Sequence, residues 1–275
     1  MSGTMARPGI LVLDSVTRFG PEAHGAVAIA ASHGGVIAAH MALAGGIVGL
    51  LLNDAGVGLD QAGLGGLAYC DRFGVPCAVV DHRSARIGDG ADHAARGLVS
   101  HANAAATQLG VQPGMPAREA AERMQAAALA PAFPGPLPAE VRETVALAGA
   151  LRPLVLIDSV SLVLPEDVGA VVFTGSHGGL LGGQPETAIK VDVFAALYND
   201  AGIGADEAGL SRLPALDARG IAGATVVAMS ARIGDAHSAY ATGVLSHVNH
   251  TAEMLGARAG MRARDFAVLM CGAIP

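Results

Sequence analysis

Five polar strings occur twice along this chain, in the same order. Leu13-Asp14-Ser15-Val16 returns as Ile157-Asp158-Ser159-Val160, and Ser32-His33-Gly34-Gly35 returns as Ser176-His177-Gly178-Gly179. Asn53-Asp54-Ala55-Gly56-Val57-Gly58 returns as Asn199-Asp200-Ala201-Gly202-Ile203-Gly204. Ser84-Ala85-Arg86-Ile87-Gly88-Asp89 and Ser100-His101-Ala102-Asn103 return as Ser230-Ala231-Arg232-Ile233-Gly234-Asp235 and Ser246-His247-Val248-Asn249. The spacing is 144 residues from Asp14 to Asp158 and 146 from Asn53 to Asn199, so two residues are inserted between, near Gln184-Pro185. A repeat of that length is domain-sized, which makes the chain a fused pair and not a solenoid. Fused pairs commonly keep the twofold relation of a dimer, so two pseudo-twofold-related units are expected.

The apolar runs between the strings set the fold class. Ile10–Asp14, Ala26–Ala31, Ile47–Asn53 and Pro76–Asp81 read as strands, as do Leu154–Asp158, Ala170–Thr174, Val193–Asn199 and Ala222–Met229. They are nearly continuous in apolar residues, not alternating. Continuous runs separated by helical stretches indicate an α/β fold with mostly parallel sheets covered on both faces, three layers per unit. Gln61–Phe73 and Glu207–Arg219 read as helices ending at Gly74 and Gly220, with Asp60 and Asp206 at the N-cap. Arg118–Ala130 and Ala139–Leu151 read as helices around a break at Pro131, Pro134, Pro136 and Pro138. The expected organisation is a first α/β repeat over 1–115, a helical, Pro-rich connector over 116–150 and a second repeat over 151–275.

Composition narrows the partners. Apolar residues make up 52% and charged residues 15%, a balance that supports a large core and argues against disorder. The net charge is −7 and aromatics are 3%, without Trp, which disfavours nucleic acid. Residues 26–52 are apolar enough to suggest a membrane span, but the matching stretch, Leu180–Tyr198, contains Glu186, Lys190 and Asp192. Buried strands around a packed helix account for both. Met1–Pro8 has no apolar leader core, and Cys70, Cys77 and Cys271 form no disulfide or zinc pattern. The reading is a cytoplasmic protein with no membrane or nucleic-acid partner, compatible with a homo-oligomer.

The polar strings follow the carboxyl ends of expected strands, where open α/β sheets bind ligands. Ser-His-Gly-Gly offers successive backbone N–H groups for an oxyanion, as His-Gly-Gly turns do in esterases. There is no G-x-S-x-G elbow. Asp54 and Asp200 are candidate bases, magnesium ligands or orienters of a neighbouring His, and Arg86 and Arg232 offer planar forks to an anion. The catalytic candidates are therefore Ser32, His33 and Asp54, with Ser176, His177 and Asp200. Substrate contacts are expected from Asp14, Ser15, Gly34, Gly35, Asn53, Ser84, Arg86 and Asp89. Their counterparts are Asp158, Ser159, Gly178, Gly179, Asn199, Ser230, Arg232 and Asp235.

Gly97, Ser100 and His101, like Gly243, Ser246 and His247, fall at i, i+3 and i+4 and suggest one face of a helix. No metal motif, GxGxxG or Walker sequence occurs, so neither metal nor nucleotide cofactor is expected. The expectation is a cofactor-independent hydrolase of an amide or ester bond in a small anionic metabolite. The alternatives are an isomerase or lyase using the same acid–base residues, and a non-catalytic small-molecule binder or sensor.

Overall fold

The computed structural model describes residues 9–127, 131–136 and 138–274. The leader reading of Met1–Pro8 and the end of the helical reading at 128–130 lie outside them. The chain forms two compact units, one of residues 1–54 and 64–138, the other of 55–63 and 139–275. Residues 55–63 thus belong to the second unit although they sit within the first repeat of the sequence.

The first unit is built on a five-stranded sheet: β1 (Ile10–Leu13), β2 (Val27–His33), β3 (Gly49–Asn53), β4 (Cys77–Val80) and β5 (Val99–Ala102), ordered as numbered. β1 to β4 are parallel and β5 runs antiparallel to β4. The apolar runs divide by period two between two cores, as a covered sheet requires. Ala28, Ala30, Leu50, Leu52, Cys77 and Val79 face a core closed by helix α1 (Val36–Ala44) and helix α2 (Gly65–Asp71). Val27, Ile29, Leu51, Ala78 and Val80 face the other. That second core is closed by α4 (Ala104–Gln108) and α5 (Ala117–Ala126), while α3 (Gly90–Arg96) follows β4.

The second unit holds a six-stranded sheet in the order β11-β10-β9-β8-β7-β6. Its strands are β6 (Arg142–Val145), β7 (Leu154–Ile157), β8 (Val171–His177), β9 (Ala195–Asn199), β10 (Ala222–Val226) and β11 (Leu245–Val248). β7 to β10 are parallel, and β6 and β11 are antiparallel edges. Strand by strand, β7–β11 repeat the order and direction of β1–β5. Leu156, Phe173, Leu197 and Ala224 face a core shared with α7 (Ala236–Thr242), α8 (His250–Met254) and α9 (Ala263–Cys271). Val155, Ile157, Val172, Ala196 and Tyr198 face a core that includes Leu216 of α6 (Arg212–Asp217).

Several expectations are corrected. Ser100-His101 and Ser246-His247 lie on β5 and β11, not on helices; the i, i+3, i+4 spacing is incidental to a strand whose residues pair with β4 or β10. Ala139–Leu151 contains β6 instead of a helix. There the Asp158 carboxylate accepts from Val141 N (2.8 Å), and Arg142 grips the buried Asp167 at 2.9 Å, so the segment is pulled flat along β7. Leu180–Tyr198 has no counterpart of α1: Gly182 and Gly183 take positive φ and Pro185 opens only a short 3₁₀ turn. Asp60 and Asp206 are not N-caps.

They lie in loops of left-handed backbone, in which Ala55, Gly56, Val57, Gly58, Asp60 and Gln61, and their six counterparts, all have φ between 50° and 74°. β-Branched Val57 and Ile203 are strained there, each at about 1–3 kcal/mol. Gly63 N to Val57 O (2.9 Å) and Gly209 N to Ile203 O (2.8 Å) hold the two loops in the same way. A Cβ on Gly56 would stand 2.7 Å from Gly202 Cα, so the loops meet where only glycine fits. Among the described residues, no helix is long and apolar enough to cross a membrane.

Candidate functional site

Because β1 to β4 are parallel neighbours, Asp14, Ser32-His33, Asn53-Asp54 and Asp81-His82 all emerge at one edge of the first sheet. Asp158, Ser176-His177, Asn199-Asp200 and Val227-Ala228 emerge at the matching edge of the second. The strings that recur are largely consumed in holding these turns together. Ser32 Oγ accepts from Val16 N at 3.0 Å and lies 3.4 Å from Ser15 Oγ; Ser176 Oγ accepts from Val160 N at 2.9 Å. Ser15 and Ser159 each cap the next turn, accepting from Thr17 N and Ser161 N at 3.2 Å. The hydroxyls of Ser32 and Ser176, both catalytic candidates, thus each hold a backbone N–H of the preceding turn.

The Gly-Gly amides are likewise engaged. Gly34 N donates to Asn53 O (2.7 Å) and Gly178 N to Asn199 O (2.8 Å). Gly35 N donates to His33 Nδ1 (3.2 Å), and Gly179 N to His177 Nδ1 (3.1 Å). An oxyanion cradle needs free donors, and these four amides already have acceptors. The same bonds make Nδ1 an acceptor in both rings. Burial holds His33 down to about 4, which makes it a weak base at neutral pH.

Asp14 and Asp158 accept from Gly90 N (3.1 Å) and Ala236 N (3.0 Å), while Asp89 and Asp235 cap α3 and α7. Ser84 and Ser230 tie Asp81 O and Val227 O to Leu98 N and Val244 N. Arg86 pairs with Asp89 (2.9 Å) and Asp92 (3.3 Å). Arg232 pairs with Asp235 (3.1 Å) and Asp60 (2.9 Å). These bonds form helix caps, turn ties and ion pairs.

The two units differ in the residues around Asp54 and Asp200. Asp54, 3% exposed, receives His82 Nδ1 at 2.8 Å and His82 backbone N at 3.0 Å on a single oxygen, Oδ1. Burial alone would raise this carboxyl. Hydrogen bonds from His82 and Ser100 override it and hold Asp54 below the usual carboxylate range. With Nδ1–H donated to Asp54, the neutral His82 ring keeps its lone pair on Nε2. Asp81 lies 3.4 Å from the same ring, and hydrogen bonds from Arg83 hold its carboxyl low.

Beside this pair, Asn53 Nδ2 meets His93 Nε2 at 3.0 Å, and His93 Nδ1 donates to Asp89 O at 2.9 Å. Burial pushes the His93 pKa down. In the second unit Asp200 Oδ1 accepts from Gly202 N and Ala228 N, both at 2.9 Å, and Asn199 donates to Ala231 O. Val227, Ala228 and Ala239 stand in the second unit at the positions of Asp81, His82 and His93, so none of the three supplies an imidazole to Asp200.

Asp54, Asp81 and His82 also offer ligand atoms within 4.8 Å of one another, the donor set of a divalent-metal site. Of the residues singled out from sequence, Asp54 and Asn53 belong to this cluster. Asp81, His82 and His93 are not among the residues singled out, because they lie outside the strings that recur. Their signal was available in their failure to recur. Comparison with protein-family models, with curated proteins and with solved structures finds no match.

Proposed function

We propose that this chain is a small-molecule enzyme, a hydrolase of an amide or ester bond, whose proton-moving pair is Asp54–His82. The observation that carries the reading is the 2.8 Å bond from His82 Nδ1 to a buried carboxylate, reinforced by the backbone amide of the same histidine. A carboxylate so placed fixes the tautomer and steadies the imidazolium that forms when Nε2 takes a proton. In hydrolysis Nε2 accepts the proton of a water as its oxygen bonds to the substrate carbonyl. The same proton then passes to the leaving amine or alkoxide as the C–N or C–O bond breaks. An imidazole oriented by a buried carboxylate supports an enzyme over a passive binder, and an isomerase or lyase would use the same pair. The pair carries no claim on substrate charge, since Arg86 and Arg232 are already engaged by carboxylates.

Asp81 favours a second reading, in which Asp54, Asp81 and His82 hold a divalent metal that activates the water. Activity lost to a chelator and restored by zinc or manganese would select it. The recurrence of five strings together with the shared strand order supports a tandem duplication, bounded near 115 and 151, in which the first copy carries the chemistry.

The test is turnover of a panel of small esters and amides, including p-nitrophenyl acetate, by the full chain and by His82→Asn. Loss of general-base catalysis lowers turnover about 10²–10⁴-fold, with the melting temperature nearly kept. Wild-type turnover in His82→Asn, or no turnover of any panel member by the wild type, overturns the hydrolase reading.

A further inference from the structure

The second unit carries its own departures from the repeat, and they gather at one cleft. An antiparallel bridge between Val244 and Arg262 sets the end of α7 beside the start of α9. Bonds from Leu245 N to Met261 O and from Ala263 N to Gly243 O, both 2.9 Å, fasten the two segments. Between them lies a cleft of about 360 Å³ lined by Tyr240, Thr242, Gly243, Val244, Arg262 and Arg264. That volume is at the lower end of small-molecule sites, which run from about 300 to 1,000 Å³.

Its charge is one-sided. Arg262 and Arg264 make no ion pair among the described residues, in a chain whose net charge is −7. Elsewhere in this molecule arginines typically find a carboxylate: Arg118, at the position matching Arg264, reaches Glu122 at 3.5 Å, and Arg96, matching Thr242, reaches Asp92 at 2.9 Å. Arg264 instead lies over the Tyr240 ring, 5.3 Å from its centroid, which holds the guanidinium in place while its charge stays unmatched. The first turn of α9 has no side-chain cap and carries Asp265, which is not among the residues lining the cleft. The first repeat has Ala94 and Pro116 where the second has Tyr240 and Arg262, so neither residue is needed by the shared fold.

We propose that this cleft binds a small organic oxyanion, a carboxylate or phosphate group carried on an apolar body. Arg262 and Arg264 take the anion, and the Tyr240 ring and Val244 take the body. The proposal is independent of the Asp54–His82 reading: it concerns other residues, in the other unit, and requires binding only.

The experiment is calorimetric titration of the full chain with phenyl phosphate and with benzoate, and with inorganic phosphate as the anion without a body. Saturable binding of phenyl phosphate or benzoate, tighter than inorganic phosphate, is expected. The double variant Arg262→Gln/Arg264→Gln weakens it at least about tenfold. Arg118→Gln leaves it unchanged, and Tyr240→Ala removes the preference over inorganic phosphate. Both arginines are exposed, so the variants keep the wild-type melting temperature, and that is measured alongside. Absence of saturable binding at millimolar ligand, equal affinity for inorganic phosphate, or undiminished binding by the double variant overturns the proposal.

Discussion

The two sheets share an order of strands and differ in what is hung on them. Both use Ser-His-Gly-Gly to tie a strand end, both cap the helix after the fourth parallel strand with Asp, and both carry the same left-handed loop. The first unit then covers one face with the apolar helix α1, while the second has an irregular loop in its place, gathered around a buried arginine. The first places His82 on Asp54 where the second places Ala228 near Asp200. Residues under a common structural demand stay alike whatever each half does. Residues that diverge while the backbone stays the same are released from that demand, and they are where function is to be sought.

The sharpest way to break this comparison is to remove a side chain that one unit has and the other lacks; His82→Asn is the largest such effect, acting on turnover as set out above. The next is Arg212. Its side chain is fully buried, donates from Nε to His177 O (3.2 Å) and Gly179 O (3.0 Å) and from Nη1 to Thr187 O and Ala188 O, and lies over the Tyr198 ring. It is the device that holds the loop in the place of α1. At the matching position the first unit has Gly66, where a Cβ would come within 2.9 Å of Gly34 O. Arg212→Ala strands buried carbonyls and opens a cavity, an expected loss of about 3–5 kcal/mol in urea unfolding. A loss below about 1 kcal/mol would show that the loop is held by its apolar residues, Leu180 and Ile189, and not by the cation.

A smaller effect separates scaffold from chemistry. Ser32→Ala and Ser176→Ala each leave a backbone N–H, of Val16 or Val160, without its acceptor. The expected cost is about 1–3 kcal/mol at either site, with turnover and ligand affinity kept. Equal costs in the two units sharpen the view that shared strings are structural. A fall in turnover in Ser32→Ala with stability intact would return Ser32 to the mechanism.

What could be read in advance follows the same division. The eight parallel strands were recoverable because a strand covered on both faces must be apolar throughout, and Leu50-Leu51-Leu52 and Leu154-Val155-Leu156 leave little choice. The antiparallel edges β5, β6 and β11 were not, since Val-Ser-His-Ala and Arg-Glu-Thr-Val are short and polar, and their extended form is set by pairing with a neighbour. Asp54 was legible as a polar residue at a strand end. Its partner was not, because repeated motifs advertise themselves and His82 lies in a string, Asp-His-Arg, that occurs once. The left-handed run over 55–61 was also hidden: Val57 and Ile203 are residues that local preference would place elsewhere, and only the loops' tertiary bonds hold them there.

The last effect concerns pH and bears on the first unit's histidines. Burial holds His33 near 4, and pushes His93 and His40 downward as well, while the unfolded chain protonates all three near 6.5. A proton that binds the unfolded chain and not the folded one favours unfolding. The stability contributed by His33 is therefore complete above pH 6.5 and declines as pH falls toward 4, with a slope of at most about 1.4 kcal/mol per pH unit. His33→Gln keeps an acceptor in reach of Gly35 N and removes the titrating ring, so it flattens part of the slope between pH 6.5 and 4; His93 and His40 supply the remainder. Ring resonances followed by NMR give the direct check. A His33 midpoint near 4 fits a ring locked in its turn by the Gly35 amide. A midpoint near 6.5 would mean that the ring is open to water, and would restore His33 as a base for catalysis beside His82.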